Sequence, residues 1–233
     1  MTTAAPPPSD AAGDLDAGDV GPWLDATRRA LRVRADAVVP CGSCTACCTS
    51  SQFVHITPEE TDTLAHIPKA LRFPAPGLPK GHVLLPYDEH GRCPMLVDGA
   101  CSIYEHRPRT CRTYDCRIFT ATGTTPDEPT KAEIASRVDR WRFTVGTVEE
   151  QRVLDAMHAA AAYLRAHPEL LREAGIPDNA TQLAVTAVAV HESFVDAPPA
   201  LDVVRAAVEA WVSGAARPGR RPRDAEGPRT PGR

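Results

Sequence analysis

Apolar positions recur at helical spacing over most of the chain outside a central segment. Between Pro22 and Val39, residues Trp23, Ala26, Ala30, Leu31, Ala37 and Val38 share one face, with Arg28, Arg29, Arg32 and Asp36 outside it. Pro40 ends that predicted helix and delivers the chain to Cys41. Past residue 120 the helical pattern returns. Thr130 with Glu133 predicts a helix start that runs to about Trp141. Thr147 with Glu150 predicts a longer helix with Val148, Leu154, Met157, Ala161 and Leu164 as its stripe. Pro168 to Ala174 reads as a short helix closed by Gly175 and Pro177. Asn179 with Gln182 starts another that reaches about Phe194. Pro198-Pro199 starts the last, with Leu201, Val204, Val208, Trp211 and Val212 on one face and Gly214 closing it.

The central segment has a different rhythm. Phe53-Val54-His55-Ile56 is a short β-type run, followed by Thr57-Pro58-Glu59-Glu60 as the start of a helix to about His66. Pro74, Pro76, Gly77 and Pro79 mark an irregular loop. Val83-Leu84-Leu85 and Cys93-Pro94-Met95-Leu96 flank a turn at Glu89-His90-Gly91, and Asp98-Gly99 is a second turn signal before Cys101-Ser102-Ile103. Two or three short antiparallel strands follow from this, each too short to be stable alone.

The expected fold is therefore α+β. A cysteine-rich subdomain with short antiparallel strands packs against a mainly helical C-terminal half. The expected division is a disordered tail over 1–20, a cysteine-cluster domain with its leading helix over 21–120, a helical region over 121–215 and a disordered Arg/Pro/Gly tail over 216–233.

Composition adds one decisive fact. The chain has 233 residues, net charge -4, 42% hydrophobic and 24% charged residues, an ordinary globular balance. Its 8 cysteines all fall between Cys41 and Cys116. The first 20 residues carry four aspartates and no basic residue, so they do not read as a secretory signal. No stretch approaches the ~20 apolar residues of a membrane helix. A cytoplasmic location is expected, where thiols stay reduced and metal binding becomes the default reading of clustered cysteines. Arginine dominates lysine without a global basic excess, so no nucleic-acid partner is indicated.

The first cysteine block is Cys41-Gly-Ser-Cys44-Thr-Ala-Cys47-Cys48; the second is Cys93, Cys101, Cys111 and Cys116. Two residues between cysteines let both thiolates reach one ion at about 2.3 Å. Three cysteines spaced in this way also hold three corners of a cubane cluster in bacterial ferredoxins, with a distant fourth ligand. Neighbouring side chains tend to diverge, so Cys47 and Cys48 can serve two centres, or one of them is a spare thiol. Arg107-Pro108 places Cys111 one turn into a helix, whose N-terminus favours the thiolate. Arg107 and Arg112 are positioned in sequence to offset thiolate charge. Histidines 55, 66, 82, 90 and 106 read as surface or supporting groups, because the cysteines supply enough ligands; His106, between Glu105 and Arg107, is the exception to watch. No GxGxxG, Walker-type or GxSxG element occurs, and no Ser/His/Asp or paired-carboxylate set emerges.

The Cys41–Cys48 run, Phe53 to Glu60, Cys93-Pro-Met-Leu and the stretch from Asp98 to Arg112 together resemble the CxxCxxCC cysteine-cluster family, described as a zinc- or iron-chelating domain. The resemblance covers residues 41 to about 118. It implies that all eight cysteines, Cys41, Cys44, Cys47, Cys48, Cys93, Cys101, Cys111 and Cys116, bind metal. It says little about reaction. A related cluster occurs in flagellin lysine methylases, but nothing beyond the cluster here supports methyl transfer. An iron-sulfur cluster is favoured over zinc, because only one paired C-x2-C knuckle exists. Three roles remain open: a redox or structural metal module, an enzyme using the cluster for electron or group transfer, and a zinc-stapled interaction module without catalysis.

Overall fold

The computed structural model describes residues 13–33, 39 and 41–214. The C-terminal tail expectation, residues 1–12 of the N-terminal one and the last turns of the first expected helix lie outside the described residues. The architecture is α+β, as the pattern predicts.

Residues expected in the N-terminal tail instead form a strand. β1 (Leu15–Asp19) pairs in parallel with β7 (Trp141–Thr144), in a register that matches Leu15 with Trp141. Its hydrophobic anchor is Ala17, which is fully buried. The chain turns directly into α1 (Val20–Val33), which buries Trp23, Leu24 and Ala30. The pairing also corrects the helix expected to reach Trp141. α5 (Ala132–Val138) ends earlier, and Trp141 opens β7 with its ring 2% exposed. A buried indole in a strand outweighs weak helix propensity.

In the cysteine region, a three-stranded antiparallel sheet has the order β2 (Val54–Ile56), β4 (Val83–Leu85), β3 (Phe73–Pro74). β4 pairs with β2 rather than with the Cys93–Leu96 stretch. That stretch leads instead into a hairpin of β5 (Leu96–Val97) and β6 (Ala100–Cys101). Asp98 and Gly99 connect them with φ of 50° and 76°, the doubly left-handed turn that matches strand twist. The expected helix at Thr57 begins later, as α2 (Thr61–His66). The Glu60 carboxylate still accepts the Thr57 N–H at 2.8 Å, but its other oxygen accepts the Arg109 N–H, which ties this turn to α3 (Arg109–Thr113).

The helical half consists of α4 (Arg117–Thr122), α5, α6 (Val148–Ala166), α7 (Pro168–Glu173), α8 (Ala180–Val190) and α9 (Leu201–Ser213). The expected boundary after residue 120 falls inside α4, where Phe119 is fully buried. The Thr147–Glu150 capping box forms as predicted, and Glu150 also accepts the Gly21 N–H, which joins α6 to α1. The predicted stripes shift. Val148 is 80% exposed, and α6 buries Ala156, Met157, Ala160, Ala161 and Leu164. α9 buries Val204 and Val208, whereas Leu201 and Val212 face solvent. The alanine face of α6 lets α8 approach closely.

Three apolar clusters result. The first joins α1, β1, α4, α5, β7, α6 and α8, and includes Ala46 and Cys116. The second is the far end of the helical half, from α6 to α9. The third is small: Ile56, Ile67, Leu85, Met95 and Ile103. The cysteines lie between the first and the third.

Candidate metal centre

All eight cysteine side chains line one cavity of about 420 Å³. Cys41-Gly-Ser-Cys44 forms a tight turn in which the Cys44 N–H donates to the Cys41 carbonyl at 2.9 Å. Gly42 takes φ 55° there, a conformation that an L side chain would strain. A 3-10 turn over Ala46–Thr49 then carries Cys47 and Cys48. The chain returns at Cys93, whose N–H donates to the Cys48 carbonyl at 2.7 Å. Gly91 permits this return: its φ is 76°, and a Cβ there would collide with the Ser51 hydroxyl. β6 supplies Cys101 and α3 supplies Cys111. Cys116 precedes α4 and is buried.

Cys116 is fixed by its neighbours in sequence. Asp115 and Arg117 form a buried ion pair, with Arg117 Nη2 2.7 Å from Asp115 Oδ2. Trp23 Nε1 donates to the same carboxylate at 2.9 Å, and Arg117 Nη1 reaches the Ala17 carbonyl at 3.0 Å. The thiol itself accepts a hydrogen bond from Trp141 Nε1 at 3.2 Å. Arg137 Nη2 donates to the Cys41 carbonyl, and its guanidinium lies 5.1 Å from the Trp141 ring centre.

Six of these thiols are held toward the protonated form. Burial, reinforced by neighbouring thiolates, pushes Cys48 and Cys116 up to about 11 and Cys111 up to about 12. Cys47 is raised well above the ordinary thiol value, and Cys41 and Cys93 are raised as well. The expectation that a helix N-terminus favours the Cys111 thiolate is thus overturned. α3 has only five residues, and burial outweighs its dipole. Arg107 lies where expected, lowering Cys41 and Cys111 against that trend. Arg112 acts on Asp62 instead. A metal ion held by these thiols would supply the missing positive charge and displace their protons.

None of the eight histidines lines the cavity. His55 Nε2 and His82 Nδ1 are 2.9 Å apart across β2. His106 stacks on His66 and its Nδ1 lies 2.8 Å from Asp62. Asp62, His66 and His106 have their donor atoms within 4.8 Å of one another at the surface. Among the described residues, no three cysteine sulfurs are that close. A zinc tetrahedron with sulfurs at about 2.3 Å spaces them only ~3.8 Å apart.

The sequence reading missed several lining groups. Trp141, Arg137, Gln52 and Tyr114 all face the cavity. The Tyr114 hydroxyl and the Gln52 amide are buried beside each other on the cavity wall, with Cys47 and Cys116 close enough to raise the Tyr114 hydroxyl further above its ordinary value after burial. Local motif reading has no signal for these residues, because each reaches the cysteines only through the tertiary fold.

Among the described residues, no helix is long and apolar enough to cross a membrane. No curated protein and no solved structure matches the chain. Residues 40–134 match the family model described as "Putative zinc- or iron-chelating domain". The match begins beside Cys41, spans every cysteine and runs past α4 into α5, where Ile134 is its last residue. The segment that carries the cysteine-lined cavity is thus similar to the CxxCxxCC family of zinc- or iron-chelating domains over residues 40–134.

Proposed function

We propose that the chain is an iron-sulfur protein of the cytosol, in which Cys41, Cys44, Cys47, Cys48, Cys93, Cys101, Cys111 and Cys116 hold the metal. The observation that carries this reading is the ligand set itself: eight thiols on one cavity, with no histidine among the lining residues and a C-x2-C-x2-C run of the kind that holds cubane clusters. The Trp141 N–H donated to Cys116 supports it, since N–H groups aimed at sulfur stabilise and tune such clusters. Arg107 and Arg137 offset part of the thiolate charge.

The metal has a structural role, because the five buried residues of the third apolar cluster are a small core for the strands and turns around them. It has a redox role as well. Iron and sulfide supply the one-electron chemistry; the chain's residues bind, orient and shield them.

Anaerobic purification of the full chain with metal and sulfide analysis and a visible spectrum tests this. The expected result is a coloured protein with iron, acid-labile sulfide and broad thiolate-to-iron absorption. A colourless protein with zinc alone would overturn it.

A further inference from the structure

We infer that the eight cysteines form two four-thiolate centres, divided between Cys47 and Cys48: one of Cys41, Cys44, Cys47 and Cys116, the other of Cys48, Cys93, Cys101 and Cys111. The inference rests on metal binding by these cysteines, but not on which metal they hold.

The division begins in the backbone. In a 3-10 turn successive side chains point about 120° apart, so Cys47 and Cys48 diverge. Cys48 is drawn to the strand side by the Cys93 N–H on its carbonyl. Cys93 and Cys101 are brought together by the β5–β6 hairpin, which pairs Leu96 with Cys101 while the Leu96 N–H donates to the Cys93 carbonyl. Both pack on the third apolar cluster. Cys111 joins them because α3 lies on β2, with the Thr110 hydroxyl donating to the His55 carbonyl at 2.6 Å.

The other four are tied to the helical half. Cys44 and Cys116 pack on the first apolar cluster. Cys41 is held to Cys44 by their turn and to α5 by Arg137; Cys116 is held to β7 by Trp141. Arg137 and Trp141 touch each other, so both ends of this set rest on one support.

Cys47, on the other side of the 3-10 turn from Cys48, is left to the set on the helical side. Four thiolates complete a closed site for zinc or for a cubane cluster alike.

Metal content and thiol alkylation with mass mapping, on the full chain purified anaerobically, decide the point. Cys101→Ala should keep about half of the wild-type metal and expose Cys48, Cys93 and Cys111 to alkylation, with Cys41, Cys44, Cys47 and Cys116 protected. Cys116→Ala should give the reverse pattern; Cys41→Ala, whose side chain lies outside the apolar cluster, tests the same centre if Cys116→Ala fails to fold. Cys47→Ala and Cys48→Ala should lose opposite halves. A single variant that loses all metal, one that loses none, or an alkylated set that crosses the two groups would overturn the division. Zinc in place of iron would overturn the iron-sulfur reading while leaving the halving expected. A wild-type chain without metal would overturn both.

Discussion

The two halves of the molecule are held by different physics. The helical half buries two continuous apolar clusters, and its helices are ended by local devices: the Thr147–Glu150 capping box, the Asn179 cap on α8, and Gly123 and Gly214 in left-handed closing positions. The cysteine half has strands of two or three residues over a five-residue apolar cluster. Such strands do not stand alone in water. Apolar burial suffices where periodicity allows long helices; where turns and prolines forbid them, the proposed metal bonds would take its place.

Metal removal should break this contrast most sharply. Stripping the metal under reducing conditions should abolish amide-exchange protection over β2 to β6 while α6 and α8 keep theirs. Equal loss in both halves would show that they fold as one unit; equal retention would show that the metal holds nothing.

The converse is a cut in the helical core. Leu164 is fully buried in the second cluster, far from any cysteine. Leu164→Ala should cost about 2–5 kcal/mol by thermal or denaturant unfolding and leave the metal content unchanged.

These two halves were also unequally legible in the sequence. Helix starts at Thr147 and Asn179 and stops at Gly175 and Gly214 were readable because they depend on residues a few positions apart. β1 was not, since its partner β7 lies some 125 residues away. The exposed Val148 shows the limit of periodicity: the pattern identifies an apolar stripe, but neighbouring elements decide which turn they cover. The cysteines announced themselves by spacing. Their supports did not, because Arg137, Trp141, Tyr114 and the Asp115–Arg117 pair gain their roles only when α1, α5 and β7 close around Cys116.

Smaller perturbations sharpen the contrast. Thr147→Ala removes the acceptor for the Glu150 N–H and should cost ~1 kcal/mol, again without loss of metal. Trp141→Phe keeps the ring and removes the donor to Cys116, so it should shift the charge-transfer spectrum and midpoint potential of the metal centre with a stability change of about 1 kcal/mol or less. An unchanged spectrum would mean that Trp141 only fills space.

The most direct test is X-ray absorption at the metal edge of the anaerobically purified full chain. Coordination by the eight cysteines predicts an iron edge with a first shell of sulfur alone and a second shell of iron. A first shell containing nitrogen or oxygen would contradict it, because it would put a ligand other than the eight cysteines, such as the Asp98 carboxylate on the cavity wall, on the metal.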